Sequence, residues 1–409
     1  IGGGVATIET EPGFWHDPCS TCHLSNQPNP LIKNDELGLK SKYGLKYIYP
    51  DHNASVIFPD NNAIRFYKSV DKTCESIARF SQHDAEAYRK FYEWTEPLME
   101  LFNFAMFSPA APYGTQASFF DGSDEGRELI HVSLSSTVDL VDQWFENEQV
   151  KIAITRFVAE GMISPFMQGT GLMLLLFIPV FHNYGGGIPK GGSGKLCSAL
   201  EDCITDNGGT IRVNAPVESF MLSGGKVTGV VLKDGEEVLA KKAVASNLHM
   251  KQMFPGMFPE GTQFPANFLH RVNRLKPSSF TAINNLLCLE ESPKYTADEV
   301  DNSIWVELSS GSINEIRDWY HNLETGIPQS DYPLIICPTL FDPIRAPEGK
   351  HCLYFFHFQP YNLRDGGPEK WDAMGKVIYE KMLENIRRVT TNMGPENIIG
   401  EPYTMTPLD

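Results

Sequence analysis

The stretch from Tyr184 to Asn247 limits what this chain can fold into more than any other. It opens on Gly185-Gly186-Gly187-Ile188-Pro189-Lys190-Gly191-Gly192-Ser193-Gly194, and glycine at that density implies positive φ angles or close backbone approach. It is not a P-loop. Lys195 is followed by Leu196 rather than Ser or Thr, and the position five before Gly194 is Pro189. Leu196, Leu200, Cys203 and Ile204 fall at helical spacing, with Ser193 expected as N-cap and Gly208-Gly209 as the stop. A short strand is expected over Thr210 to Val213. Val217 to Leu222 and Val227 to Leu232 flank Ser223-Gly224-Gly225-Lys226 as a hairpin, and Asp234-Gly235 turns the chain into Glu237 to Ala240. The run Ala243-Val244-Ala245 closes the unit. This order reads as half of a nucleotide-binding domain; an ordinary α/β segment with hairpins accounts for the same residues.

A chain of 409 residues has room for two or three domains, and 42% hydrophobic with 21% charged residues is a globular composition. The net charge of −17, with no basic cluster to offset it, argues against a nucleic-acid partner, whose phosphates demand Lys and Arg. The eight cysteines are spread widely, as in a reducing, cytoplasmic compartment. The chain starts inside a glycine turn at Ile1 and stops after a polar connector at Asp409, so an internal fragment is expected.

From Gly161 to Pro189 no Asp, Glu, Lys or Arg occurs, and Leu172 to Phe181 reads L-M-L-L-L-F-I-P-V-F. A membrane-spanning helix needs about 20 predominantly apolar residues, and Pro165, Gln168, Pro179 and Asn183 interrupt this run. A span, a buried core helix and the wall of a lipophilic cavity all remain open, as does peripheral membrane contact.

The sequence Cys19-Ser20-Thr21-Cys22-His23 has the form of a c-type haem attachment site, and His16, Cys19, Cys22 and His23 include zinc-ligand types. Two thiols on a loop is the simpler reading, and no metal is expected. A short helix is expected from Asp35 to Leu39 and a hairpin from Lys46 to Pro50 with Ser55 to Phe58. Ser81 with Asp84 resembles a capping box that opens a helix running through Phe91 and Thr95. Further helices are expected over Val138 to Glu148 and Val150 to Glu160. Phe280 to Leu289, Ile304 to Leu308, Leu334 to Thr339 and Leu353 to Phe358 suggest a mostly antiparallel sheet, and Trp371 to Thr391 a C-terminal helix.

Several of these pieces resemble one family. Gly2-Gly3-Gly4-Val5-Ala6-Thr7 is similar to the second glycine motif of the FAD-dependent amine oxidase and phytoene desaturase superfamily, and Phe14 to Ser20 to the block that follows it. The Tyr184 to Asn247 unit resembles its second FAD-binding segment. Asp342-Pro343-Ile344-Arg345-Ala346-Pro347-Glu348-Gly349-Lys350-His351 resembles a motif of the phytoene desaturase-like branch, which includes carotenoid desaturases, β-carotene ketolases and retinol saturase. The family's G-x-G-x-x-G unit and its C-terminal flavin-covering block have no counterpart in this chain. Gly4 stands where the motif usually has Arg.

The resemblance implies an α/β fold, with a split Rossmann-like FAD domain (incomplete here) and an inserted α+β substrate domain carrying a mostly antiparallel sheet. The implied boundaries are 1–60 and 185–250 for the FAD segments, 61–184 and 251–360 for the helical and sheet parts of the substrate domain, and 361–409 for the return. It further implies FAD as cofactor and hydride transfer between flavin and a hydrophobic, carotenoid- or isoprenoid-like small molecule. Gly2, Gly3, Gly4 and Thr7 would lie against ribose and pyrophosphate, and the backbone of Val217 would meet the adenine. Gly191 and Gly192 would sit near flavin or substrate. His182, Tyr184 and Lys190 are candidates for a cavity mouth, and no catalytic side chain is identified. A cofactor-free scaffold and an amine oxidase-type flavoenzyme are the competing readings.

Overall fold

In chain order the strands are Ile8–Glu11 (β1), Phe14–His16 (β2), Tyr47–Ile48 (β3), His52–Ile57 (β4), Ala63–Tyr67 (β5), Ile188–Pro189 (β6), Val217–Ser223 (β7), Lys226–Leu232 (β8) and Glu237–Leu239 (β9). Phe280–Leu289 (β10), Trp305–Leu308 (β11), Leu334–Ile336 (β12), His351–Pro360 (β13) and Ile398–Met405 (β14) follow. These come from a computed structural model, which describes residues 1–278 and 280–409. The chain divides into two compact units, one of residues 1–206 with 280–409 and the other of residues 207–278.

The first unit is built on a seven-stranded sheet in the order β14-β10-β13-β12-β11-β4-β5. Only the β11–β4 pairing is parallel; β10 and β13 pair without interruption from Phe280↔Pro360 to Leu289↔His351. Successive strand residues point to opposite faces, and both faces are covered. Trp305, Leu334, Ile336, Tyr354 and Phe358 pack with Phe157, Leu174, Ile178 and Phe181 of the helices Glu148–Ala159 and Gly171–Tyr184. On the reverse face Val306, Leu308, Ile335, Leu353 and Phe355 meet Trp371, Ile378, Met382 and Ile386 of the helix Trp371–Arg388. Burial on both sides explains why β4 is buried at every position rather than at alternate ones. β4 lies within the segment expected to belong to the FAD domain, yet it is a strand of this sheet.

Two local expectations are corrected. β3 does not pair with β4: it pairs with β6, and β4 forms its hairpin with β5 instead. Pro50 follows β3 closely, and without an N–H it cannot extend a ladder there. The expected helix at Asp35 to Leu39 is a turn. Asp35 takes φ +53, and its carboxylate accepts hydrogen bonds from Lys40 N (2.8 Å) and Ser41 N (2.9 Å), a local side-chain bond that competes with helix.

The second unit holds the meander β7-β8-β9, whose strands match the expected hairpin and turn. Phe254, Phe258, Phe264 and Phe268 form an aromatic cluster in it, with Phe220 against Phe258. The strand expected over Thr210 to Val213 is absent. Those residues are exposed and have no ladder partner, and a strand that short is not held without one.

The uncharged segment forms the helix Gly171–Tyr184, with Pro179 inside it. At 1.5 Å per residue it is about 21 Å long, short of the ~30 Å hydrocarbon core. Among the described residues no helix is long and apolar enough to cross a membrane.

Candidate functional site

Two glycine turns from opposite parts of the chain meet at one buried carboxylate. Gly2 (φ +107) leads into a 3-10 turn over Gly3–Val5, and the hairpin β1–β2, turned at Gly13 (φ +85), brings Asp17 back beside Thr7. Thr7 Oγ1 donates to Asp17 Oδ1 at 2.6 Å. The same Oδ1 accepts Ser193 N at 2.9 Å, and Thr7 Oγ1 accepts Gly194 N at 2.8 Å. Gly191 N donates to Asp342 Oδ2. The second turn is therefore held by three side chains from two distant regions, Thr7 and Asp17 flanking the β1–β2 hairpin and Asp342. Gly192 has to be glycine for two reasons: its φ is +99, and a Cβ there would fall 2.3 Å from Thr7 Oγ1.

Asp17 Oδ2 faces Arg345 Nη2 at 2.8 Å, both side chains fully buried. The guanidinium N–H groups are not aligned on that oxygen, so Nη1 and Nη2 have no hydrogen-bond acceptor among the described residues; Nε donates to Trp15 O at 3.2 Å. Cys352 Sγ donates to Arg345 O at 3.4 Å, and burial pushes that thiol up to about 12.

Ser193 was expected to cap the helix Gly194–Asp206. Its hydroxyl instead donates to Ser20 O and meets His23 Nε2 at 3.0 Å, while Thr7 supplies the oxygen for the first helical N–H. A tertiary partner has replaced the local cap. His23 Nδ1 lies 3.0 Å from Tyr47 OH, and burial lowers the His23 pKa to about 4. His16 has both nitrogens engaged, with Thr10 Oγ1 (2.9 Å) and Leu287 O (3.0 Å). With these partners, His16, Cys19, Cys22 and His23 do not converge, and no group of three or more His, Cys, Asp or Glu side chains suited to a metal occurs among the described residues.

The remaining expected residues are scattered. Gly3 and Gly4 are exposed; a Cβ on Gly3 would meet nothing within 4 Å, and one on Gly4 only Cys19 Cβ at 3.9 Å. Thr7 has its hydroxyl occupied within the protein. Val217 begins β7 in the second unit. His182 is a core residue rather than a cavity-mouth residue: Nε2 lies 2.8 Å from Tyr88 OH and Nδ1 3.0 Å from Lys68 O, with the pKa lowered to about 4 by burial. Tyr184 is half-buried. Lys190 is exposed, with its N–H bonded to Lys46 O.

Apolar surface lies on the helical side of the sheet. Leu176, Phe177 and Val180 of the uncharged helix form a small hollow with Leu24, Pro28 and Met106. Tyr354, Phe356 and Phe358 form a row along β13, with ring centroids 5.6 Å apart at each step. Asp17, Asp342 and Arg345 lie in the blocks that carried the family resemblance but had no role assigned from sequence. Their partners lie far away along the chain, so spacing alone gave no signal.

No family model matches the chain. It is 26% identical over 456 residues to pyridine nucleotide-disulfide oxidoreductase domain-containing protein 2 of Rattus norvegicus, covering 100% of this chain and 76% of that protein. It is 28% identical over 270 residues to the zeta-carotene-forming phytoene desaturase of Myxococcus xanthus, covering 66% of this chain and 48% of that protein. Among solved structures, a putrescine oxidase variant superposes with a TM-score of 0.57 at 13% identity, covering 99% of this chain and 76% of that one. In sequence and fold the chain is similar to members of the FAD-dependent amine oxidase and phytoene desaturase superfamily. The relatives named here are oxidoreductases, and the mixed sheet between helical layers matches the α/β fold of the solved structure.

Proposed function

We propose that this chain is an FAD-dependent oxidoreductase acting on a hydrophobic, isoprenoid-like small molecule by hydride transfer. The observation that carries this reading is the glycine turn at Gly2–Gly4, open to approach at Gly3 and Gly4 and tied through Thr7 and Asp17 to the turn Gly191–Gly194. Where a Cβ would meet almost nothing, a ligand's ribose or pyrophosphate can approach the backbone, so the turn fits a dinucleotide. Gly2, Gly3 and Gly4 would hold it. Thr7, Gly191 and Gly192 serve at one remove, by fixing the two turns against each other. FAD, when bound, supplies the hydride acceptor or donor.

The chain's own contribution is to orient and to exclude water. Support for an apolar substrate comes from the uncharged helix Gly171–Tyr184 and from Phe356, the half-buried member of the aromatic row on β13. Burial of apolar surface at about 25 cal/mol per Å² binds such a molecule without charged groups. The phytoene desaturase named above favours the same class by analogy.

The test is titration with FAD, followed by desalting and flavin absorbance. Retained flavin, reduced on adding lipophilic candidates, is expected. A complete reading frame that folds yet retains no flavin would overturn this reading in favour of the cofactor-free scaffold.

A further inference from the structure

Along β10, alternate residues Phe280, Ala282, Asn284 and Leu286 share the face turned to the helical layer, and three of the four are apolar. Asn284 is the exception. Its cross-strand partner is Phe356, so the amide stands within the aromatic row, and it is half-buried rather than sealed. Cys19 lies directly after Pro18 in the loop whose next residue bonds back to the glycine turn, Ser20 N to Gly4 O at 3.0 Å. Asn284 Nδ2 is 3.7 Å from Cys19 Sγ.

The amide is oriented. Tyr354 OH donates to Asn284 Oδ1 at 3.1 Å, and burial raises the Tyr354 pKa well above its ordinary value, so this phenol remains a donor. With Oδ1 engaged, Nδ2 presents two N–H donors, and thioether- or thiol-type sulfur is a weak acceptor for either. A polar donor set into an apolar face, fixed by a neighbour and lacking a strong partner, is the arrangement by which a mostly apolar site selects one oxygen atom of its ligand.

We propose that Asn284 is a specificity-determining contact whose Nδ2 donates to a carbonyl or hydroxyl oxygen of the substrate, with Tyr354 as the residue that positions it. The substrate class is then an apolar molecule bearing one oxygen, rather than a pure hydrocarbon. The proposal rests on the hydrophobic-substrate reading above.

The test is equilibrium dialysis of the protein with radiolabelled geranylacetone and with the hydrocarbon in which a methylene replaces its carbonyl. A single neutral hydrogen bond corresponds to a change of roughly 5–10-fold. Asn284→Leu is expected to lower the ketone-to-hydrocarbon affinity ratio by that factor while leaving hydrocarbon binding intact, which also reports an intact fold. Asn284→Asp, which keeps the shape but presents only acceptors when ionised, is expected to lower the ratio similarly, and Tyr354→Phe to lower it part-way. If both ligands bind and Asn284→Leu and Asn284→Asp leave the ratio unchanged, the contact is overturned and the hydrophobic-substrate reading stands. If the unmodified protein binds neither ligand, both fall together.

Discussion

Asp17 and Arg345 form an ion pair with neither side chain exposed to solvent, Oδ2 to Nη2 at 2.8 Å, across more than three hundred residues of chain. Asp17 also accepts from Thr7 and Ser193, so its one carboxylate is the point at which both glycine turns and the Asp342–Arg345 loop are joined.

Removing one partner of a buried pair leaves the other charge uncompensated, typically at ~3–5 kcal/mol. Asp17→Ala is expected to destabilise the protein by about that amount in denaturant unfolding. The double variant Asp17→Ala with Arg345→Met is expected to lose less than the two single changes summed. Strict additivity in the double-mutant cycle would show that the pair does not couple.

Gly192→Ala meets two penalties: positive φ and a Cβ placed against Thr7 Oγ1. Backbone strain of this kind costs of order 1–3 kcal/mol, and the clash adds to it. A lowered melting temperature and weakened FAD retention are expected, whereas Gly3→Ala, at φ +51 but with open space at its Cβ, meets only the backbone penalty and is expected to lose less stability.

What could be read from sequence, and what could not, divides at such joints. The helix Gly194–Asp206, the long strands β10 and β13 and the C-terminal helix were readable because their apolar spacing is local and repeated. Ser81 was readable as a cap because it bonds Asp84 N three residues on. Ser193 was misread as a cap because the oxygen that bonds Gly194 N comes from Thr7, 187 residues away. His182 was misassigned for a related reason: its partners Tyr88 and Lys68 lie 94 and 114 residues away. Asn284, lying within a strand, gave no periodic signal that its amide would be oriented by Tyr354.

Burial lowers the pKa of His16, His23, His52 and His182 to about 4 from an ordinary value of 6.5. In the unfolded chain these side chains protonate near 6.5, so between pH 6.5 and about 4 unfolding takes up protons. Stability is expected to be fully present above that window and to be lost as pH falls through it. Denaturant melts at pH 7, 6 and 5 check the slope; His182→Gln is expected to reduce it by about one proton. A stability independent of pH over this range would contradict neutral, buried imidazoles.

Leu174 and Leu176 differ in burial on one helix. Leu174 is fully buried, and Leu174→Ala is expected to cost ~2–5 kcal/mol of stability. Leu176 is half-buried, so Leu176→Gln is expected to cost less stability than Leu174→Ala. Equal loss in denaturant melts of the two variants would contradict the difference in burial.

The turn around Gly192 is completed by Thr7, Asp17, Asp342 and Arg345, residues that a ribosome delivers near the beginning and near the end of this stretch of chain. Closing loops of that length carries an entropic cost that must be met before the contacts repay it. The full set of side chains that fixes the turn is therefore assembled only after Asp342 and Arg345 have been made.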